Sequence, residues 1–162
     1  MKSMKILWVE DLQVDIALMQ RVLEHNDKNK LISLEVVSTL HDAHGRERHA
    51  DLILLDLNLP DSTPKQTIEY IRYRRHKSPP VVVFSGSEEL ELILEANNAG
   101  ALTYLWKGQG NMQFIGNALI VQAYLLLKER KIRFWRCVFF WCIILSLFGL
   151  FVYGLCLHAC VG

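Results

Sequence analysis

The chain has 162 residues, 51% of them hydrophobic and 22% charged, with a formal net charge of +1; that is enough for one domain with a substantial core. Five Lys or Arg against one Glu occupy residues 128–136, so the remainder is mildly acidic, without the basic face that nucleic-acid binding needs. All four cysteines (Cys137, Cys142, Cys156, Cys160) fall in the last 26 residues and form no CxxC pair, which excludes a disulfide or zinc framework and reads them as small hydrophobes.

The first residues show no signal-peptide pattern and lead straight into a short buried strand over 5–9, ending at Glu10 and Asp11. Val14, Leu18 and Val22, with Ala17 beside them, recur at helical spacing, predicting a helix over 14–25 that Asp11 is near enough to cap. Residues 31–37 alternate enough for a second strand. Residues 39–50 predict only a short polar helix around Ala43, interrupted by Gly45.

Leu52, Ile53, Leu54 and Leu55 then run unbroken into Asp56, and Pro60 and Asp61 follow as a turn signal. An apolar run of this length suits a parallel strand covered on both faces. Thr63 and Pro64 open a helix through Ile68 and Ile71 as N-cap and first-turn proline. After Ser78, Pro79 and Pro80, residues 81–85 form another doubly buried strand. Ser87 is placed to cap a helix with Leu90, Ile93 and Leu94 inward, ended by Gly100. Residues 101–106 give a fifth strand, closing at Lys107 and Gly108. Asn111 can cap a last helix that buries Phe114, Ile115, Ala118, Leu119 and Leu126, with Gln122 at the rim. Five strand–helix repeats predict one parallel α/β sheet with helices on both faces.

The tail differs. Residues 137–157 are 21 residues without a charge; as a helix at ~1.5 Å per residue they would span about 32 Å, against a hydrocarbon core of roughly 30 Å. The basic run precedes them and only His158 follows, so the charge bias places the preceding domain in the cytoplasm. This divides the chain into a domain over 1–127, a basic juxtamembrane segment over 128–136, a transmembrane helix over 137–157 and a short tail over 158–162. A helix buried in an oligomer and a non-native tail from a disrupted longer gene are the competing readings.

The strand ends carry the chemistry. Glu10 and Asp11 follow the first strand, Asp56 the third, Ser85 ends the fourth and Lys107 follows the fifth, all along one edge of the sheet. Three crowded carboxylates repel one another unless they share a cation. A hard divalent ion such as Mg²⁺ (or Mn²⁺) meets that need. Metal, ammonium and hydroxyl together suit a transferring phosphoryl group, with Asp56 as the nucleophile.

These residues, together with the run from Leu54 to Asp61 and spacings of 29 residues from Asp56 to Ser85 and 22 from Ser85 to Lys107, resemble the receiver domain of two-component response regulators, of the chemotaxis-regulator type. The matching covers residues 4 to about 127. The resemblance implies a flavodoxin-like (βα)5 fold with strand order 2-1-3-4-5. By position it implies metal ligation by Glu10, Asp11 (the more direct ligand), Asp56 and the backbone carbonyl of Asn58. Asp56 would be the phosphoacceptor, Lys107 would pair with the phosphate, Ser85 would hydrogen-bond a phosphoryl oxygen and move toward it, and Tyr104 would be the switch aromatic. It further implies phosphoryl transfer catalysed by the domain itself from a histidine kinase or phosphotransfer protein, and an unknown output protein in place of a following output domain. Gly108 stands where such families often have Pro, Pro64 where Gly is common and Gly86 where Ala is usual; none of these removes a chemical group.

With the tail, the expectation is a phosphorelay component fixed to the lipid bilayer of the cytoplasmic (inner) membrane, without a nucleic-acid partner. Two other classes remain open. One is a phosphorylation-independent docking module, against which an intact set of mutually repelling carboxylates argues. The other is an aspartate-nucleophile phosphohydrolase, which wants a second Asp two residues after the nucleophile, where this chain has Asn58.

Overall fold

The computed structural model describes residues 3–75, 77, 79–108, 112–125 and 128. The chain divides into two units, Met1–Tyr124 and Leu125–Gly162, and the fold described is that of the first. The expected membrane helix over 137–157 lies outside the described residues. Among the described residues no helix is long and apolar enough to cross a membrane.

Five strands form one parallel sheet: β1 (Met4–Val9), β2 (Ile32–Val37), β3 (Leu52–Leu55), β4 (Val81–Ser85) and β5 (Thr103–Trp106). Their order is β2-β1-β3-β4-β5, as the sequence reading expected. The unbroken apolar runs explain the centre of the sheet: β3 and β4, with most of β1, are buried on both faces, whereas β2 at one edge alternates. Val9 is in register with both Val37 and Leu55, and Leu55 with Val83. The carboxyl ends of β1, β2 and β3 therefore finish level, and β4 runs two residues further, to Ser85.

The helices are α1 (Gln13–Asn26), α2 (Leu40–Ala43), α3 (Pro64–Arg74) and α4 (Leu90–Ala99), with a 3₁₀ turn over Glu47–His49; residues 112–125 are also helical and are called α5. Leu7, Val9, Ile53, Leu55 and Val83 face a core completed by Ile68 and Ile71 of α3 and by Ala96 and Ala99 of α4. Alternation along the strands sends Ile6, Trp8, Leu54 and Phe84 to the opposite face, where the Trp8 and Phe84 rings lie 6.1 Å apart. Right-handed crossovers in this strand order put α1 on that second face. Helix α5 meets α1 closely: a Cβ built at Gly116 would lie 2.5 Å from Cγ1 of Val22, and Asn26 Nδ2 donates to Asn117 Oδ1 at 2.7 Å.

Several local expectations hold. Thr63 and Gln66 form a reciprocal capping box with Pro64 in the first turn of α3. Gly100 closes α4 at φ 110, a left-handed conformation that only glycine adopts without strain.

Others are corrected. Asp11 does not cap α1, whose N-cap is Leu12 with no side-chain bond. The buried stripe of α1 is Ile16 and Met19, while Val14 is 71% exposed and Leu18 also faces out. Ser87 does not cap α4, which starts after Glu89. Leu90 and Leu94 are exposed, and Leu92, Ala96 and Ala99 face the core instead. β5 begins two residues later than expected. On α5 Ile115 and Leu119 are buried as expected, together with Ala123, but Phe114 is 73% exposed and Ala118 and Gln122 are exposed as well. Asn111 and Leu126 lie outside the described residues.

Two charged features hold the loops. Both oxygens of Asp61, in the loop after β3, accept backbone hydrogen bonds from Leu40 and His41 at 2.9 Å, capping α2 from outside its own segment. Asp61 pays some desolvation, yet those amides hold its carboxyl below the ordinary value of 3.8. Arg74, at the end of α3, donates from Nη1 to Glu47 Oε1 at 2.9 Å, with side chains 7% and 14% exposed. It also lies over the ring of Tyr70, whose hydroxyl is pushed by burial up to about 12.

Candidate functional site

The sheet's own hydrogen bonds place the acidic residues. Glu10 donates its backbone N–H to Val37 at 2.8 Å, and Asp56 donates its own to Val9 at 3.1 Å, so each carboxylate stands one residue beyond a buried strand. Lys107 is fixed in the same way, its N–H donating to the Ser85 carbonyl at 3.0 Å. Extended backbone at these three ends turns their side chains toward one edge of the sheet.

There they meet. Lys107 Nζ donates to Asp56 Oδ2 at 2.7 Å and to Glu10 Oε2, and lies 3.0 Å from Asp15 Oδ2. The second oxygens are also engaged: Asp56 Oδ1 accepts from the Asn58 amide and Glu10 Oε1 from the Leu12 amide, both at 3.1 Å. Glu10 is fully buried and Asp56 is 2% exposed, while Asp11 is half-buried beside them. One carboxylate oxygen from each of Glu10, Asp11 and Asp56 lies within 4.8 Å of the others.

Burial pushes the Glu10 carboxyl above its ordinary value against the opposing pull of Lys107, and the Asp56 charge adds to the rise. For Lys107 burial acts downward, but Asp56 and Glu10 outweigh it and hold the ammonium above its usual value. Four carboxylates against one ammonium leave the cluster rich in negative charge, and hard oxygen donors converging this closely fit a hard divalent cation.

The remaining predicted residues fall around this centre. Ser85 is buried at the end of β4; its hydroxyl makes no hydrogen bond of good geometry among the described residues, and its nearest polar interaction is with the Tyr104 hydroxyl. Tyr104 belongs to β5 but does not reach the carboxylates: its hydroxyl donates to the carbonyl of Ser87 at 2.8 Å, and burial raises its pKa. Asn58 is exposed. Gly108 lies under the indole of Trp106, where a Cβ would come within 2.2 Å of the ring.

Asp15 joins the site without ending or following a strand. Its signal was its position four residues after Asp11, in the first turn of a helix that begins at the site's edge.

A doubly wound parallel sheet with carboxylates, a hydroxyl and a lysine gathered at its carboxyl edge defines a class of phosphoryl-handling α/β domain. A family model, the response regulator receiver domain, matches residues 6–117, well over half of the chain, and the chain belongs to that family. Among solved structures it is similar to the phosphorylated cyanobacterial phytochrome response regulator RcpA, at 27% identity and a TM-score of 0.63, over 73% of this chain and 91% of that one. It is also similar to the Mn²⁺-bound form of response regulator Rcp1, at 24% identity and a TM-score of 0.58 over 72% and 91% of the two chains. A CheY-like receiver domain protein from Methanospirillum hungatei JF-1 aligns at 21% identity and a TM-score of 0.61, over 79% and 99%. The last two carry a likeness of fold alone. Comparison with curated proteins finds no match.

Proposed function

We propose that this chain is a phosphoryl-accepting receiver that takes its phosphoryl group onto Asp56. The observation that carries the reading is the pairing of a buried carboxylate with a buried ammonium at the end of the central strand, Asp56 Oδ2 to Lys107 Nζ at 2.7 Å. A carboxylate oxygen of Asp56 attacks the phosphorus of a phosphohistidine in a histidine kinase or phosphotransfer protein. The phosphorus–nitrogen bond breaks, the imidazole leaves, and an aspartyl phosphate forms. Lys107 stays beside the acceptor and pairs with the phosphoryl oxygens.

The residues that would hold Mg²⁺ or Mn²⁺ are Glu10, Asp11 and Asp56, with the backbone carbonyl of Asn58. The ion supplies positive charge against the phosphoryl oxygens. The buried hydroxyl of Ser85, which makes no hydrogen bond of good geometry, is a ready donor to one of those oxygens. Movement of Ser85 would pull on the loop after β4, to which Tyr104 is bonded through Ser87, and so alter the surface offered to an output partner.

The reading extends to the membrane. Residues 137–157, uncharged and preceded by the basic run, serve as a single-pass anchor in the cytoplasmic membrane, with the receiver on the cytoplasmic side.

Incubation with acetyl phosphate and Mg²⁺, followed by intact-mass analysis, tests the acceptor. One phosphoryl group should add, be stable in acid and labile in base, and disappear in Asp56→Asn or when the metal is chelated. Stoichiometric labelling that persists in Asp56→Asn overturns the assignment.

A further inference from the structure

Lys107 has three carboxylate partners, and they are not equivalent. Glu10 and Asp56 belong to the trio whose oxygens lie within 4.8 Å of one another. Asp15 does not: it reaches the ammonium from the first turn of α1, at 3.0 Å, with its side chain 20% exposed. Each oxygen of Glu10 and Asp56 already accepts one hydrogen bond, from Lys107 on one side and from the Leu12 or Asn58 amide on the other. Each oxygen keeps a further lone pair, so a divalent cation entering the trio shares these two groups with the ammonium, draws their negative charge away from it and repels it.

The consequence falls on Lys107. Its side chain is 7% exposed, and a buried ammonium stripped of its carboxylates is strongly destabilising. Asp15 is the partner that such a cation leaves untouched. Resting on the metal-dependent reading given under Proposed function, we infer that Asp15 is a positioning residue for Lys107. It retains the ammonium in place while a divalent cation draws on Glu10 and Asp56, so that metal and lysine occupy the site together. Asp15 is not itself a metal ligand in this scheme, and it acts through Lys107.

A double-mutant cycle on the full-length chain separates this role from a simple contribution of charge. Mg²⁺ alone is titrated while tryptophan fluorescence is followed, since Trp106 adjoins Lys107 in the chain. Asp15→Asn should weaken Mg²⁺ binding about tenfold, between the scales of an exposed and a buried ion pair, and Asp15→Glu should restore most of it. In a Lys107→Met background, where no ammonium needs a partner, Asp15→Asn should change Mg²⁺ affinity less than about twofold. Lys107→Gln provides a second background, and thermal melts report folding in every variant.

Equal losses in the parent and Lys107-substituted backgrounds would show Asp15 acting on the cation directly, and would overturn the inference while leaving the receiver reading intact. A parent chain without any saturable Mg²⁺ response would overturn both.

Discussion

Asp61 lies in a loop, and its carboxylate is anchored by two amides of a different segment. Those amides favour the charged form, so the folded pKa is depressed below the unfolded value. The stabilisation is then fully present above about pH 3.8 and is lost as pH falls through the depressed folded value. The protection of Leu40 and His41, measured as exchange relative to the intrinsic rate at each pH, should fall selectively on acidification, and Asp61→Asn should lower it at neutral pH. Unchanged protection in the variant would mean that the carboxylate merely rests there.

Glu47 makes a sharper case, because Arg74 is nine-tenths buried against it. Glu47→Gln replaces the charge-assisted hydrogen bond to that guanidinium by a neutral one, so it should cost about 1–2 kcal/mol by chemical denaturation. The same scale sets what the sequence disclosed about the site. Glu10, Asp11, Asp56, Ser85 and Lys107 were legible because each ends or follows an apolar strand, and a parallel sheet forces such positions onto one edge. Asp15, Asp61 and Glu47 were not. Their partners lie between 20 and 92 residues away, and nothing in a local pattern of charge announces a contact between segments so far apart in the chain.

Among the elements, the parallel strands were easier to read than the faces of the helices. A strand buried on both sides is apolar throughout, and no choice of face arises. Helix α1 carries two apolar stripes, Val14 with Leu18 and Ile16 with Met19, and periodicity alone does not say which one meets the sheet. The packing selects the second. Helix α5 misled in the same way, since residues 112–125 contain no Asp, Glu, Lys or Arg and every face is uncharged. What fixes its inward face is the close approach of Gly116 to Val22. Gly116→Ala gains up to about 1 kcal/mol of helix propensity but overpacks a β-branched neighbour, at ~1–3 kcal/mol. We expect a net loss of about 1 kcal/mol by thermal melting, with Val22→Ala recovering part of it by removing the clashing methyl. A more stable Gly116→Ala would show that the two helices part easily.

For the whole molecule, five strand–helix repeats dictated a parallel sheet, whereas the order β2-β1-β3-β4-β5 came from the resemblance. Repetition limits the topologies without choosing among them. The last described helical segment follows the fifth strand, so a chain truncated after Lys128 should melt cooperatively and still accept phosphate from acetyl phosphate. The full-length chain should sediment with membranes and resist alkaline carbonate. Recovery of the full-length chain as a soluble oligomer would favour a buried helix over an anchor.

The indole of Trp106 spread over Gly108 binds two positions into a single locus of descent. While the tryptophan remains, a β-carbon at 108 requires the outer edge of that half-exposed ring to swing aside, so the two positions are coupled. Once 106 drifts to a small residue that constraint lapses, and 108 becomes free to vary. Replacing both together should be tolerated where Gly108→Ala alone displaces the indole and shifts its emission, so the order in which the two mutations arise decides which lineages pass through a disturbed protein.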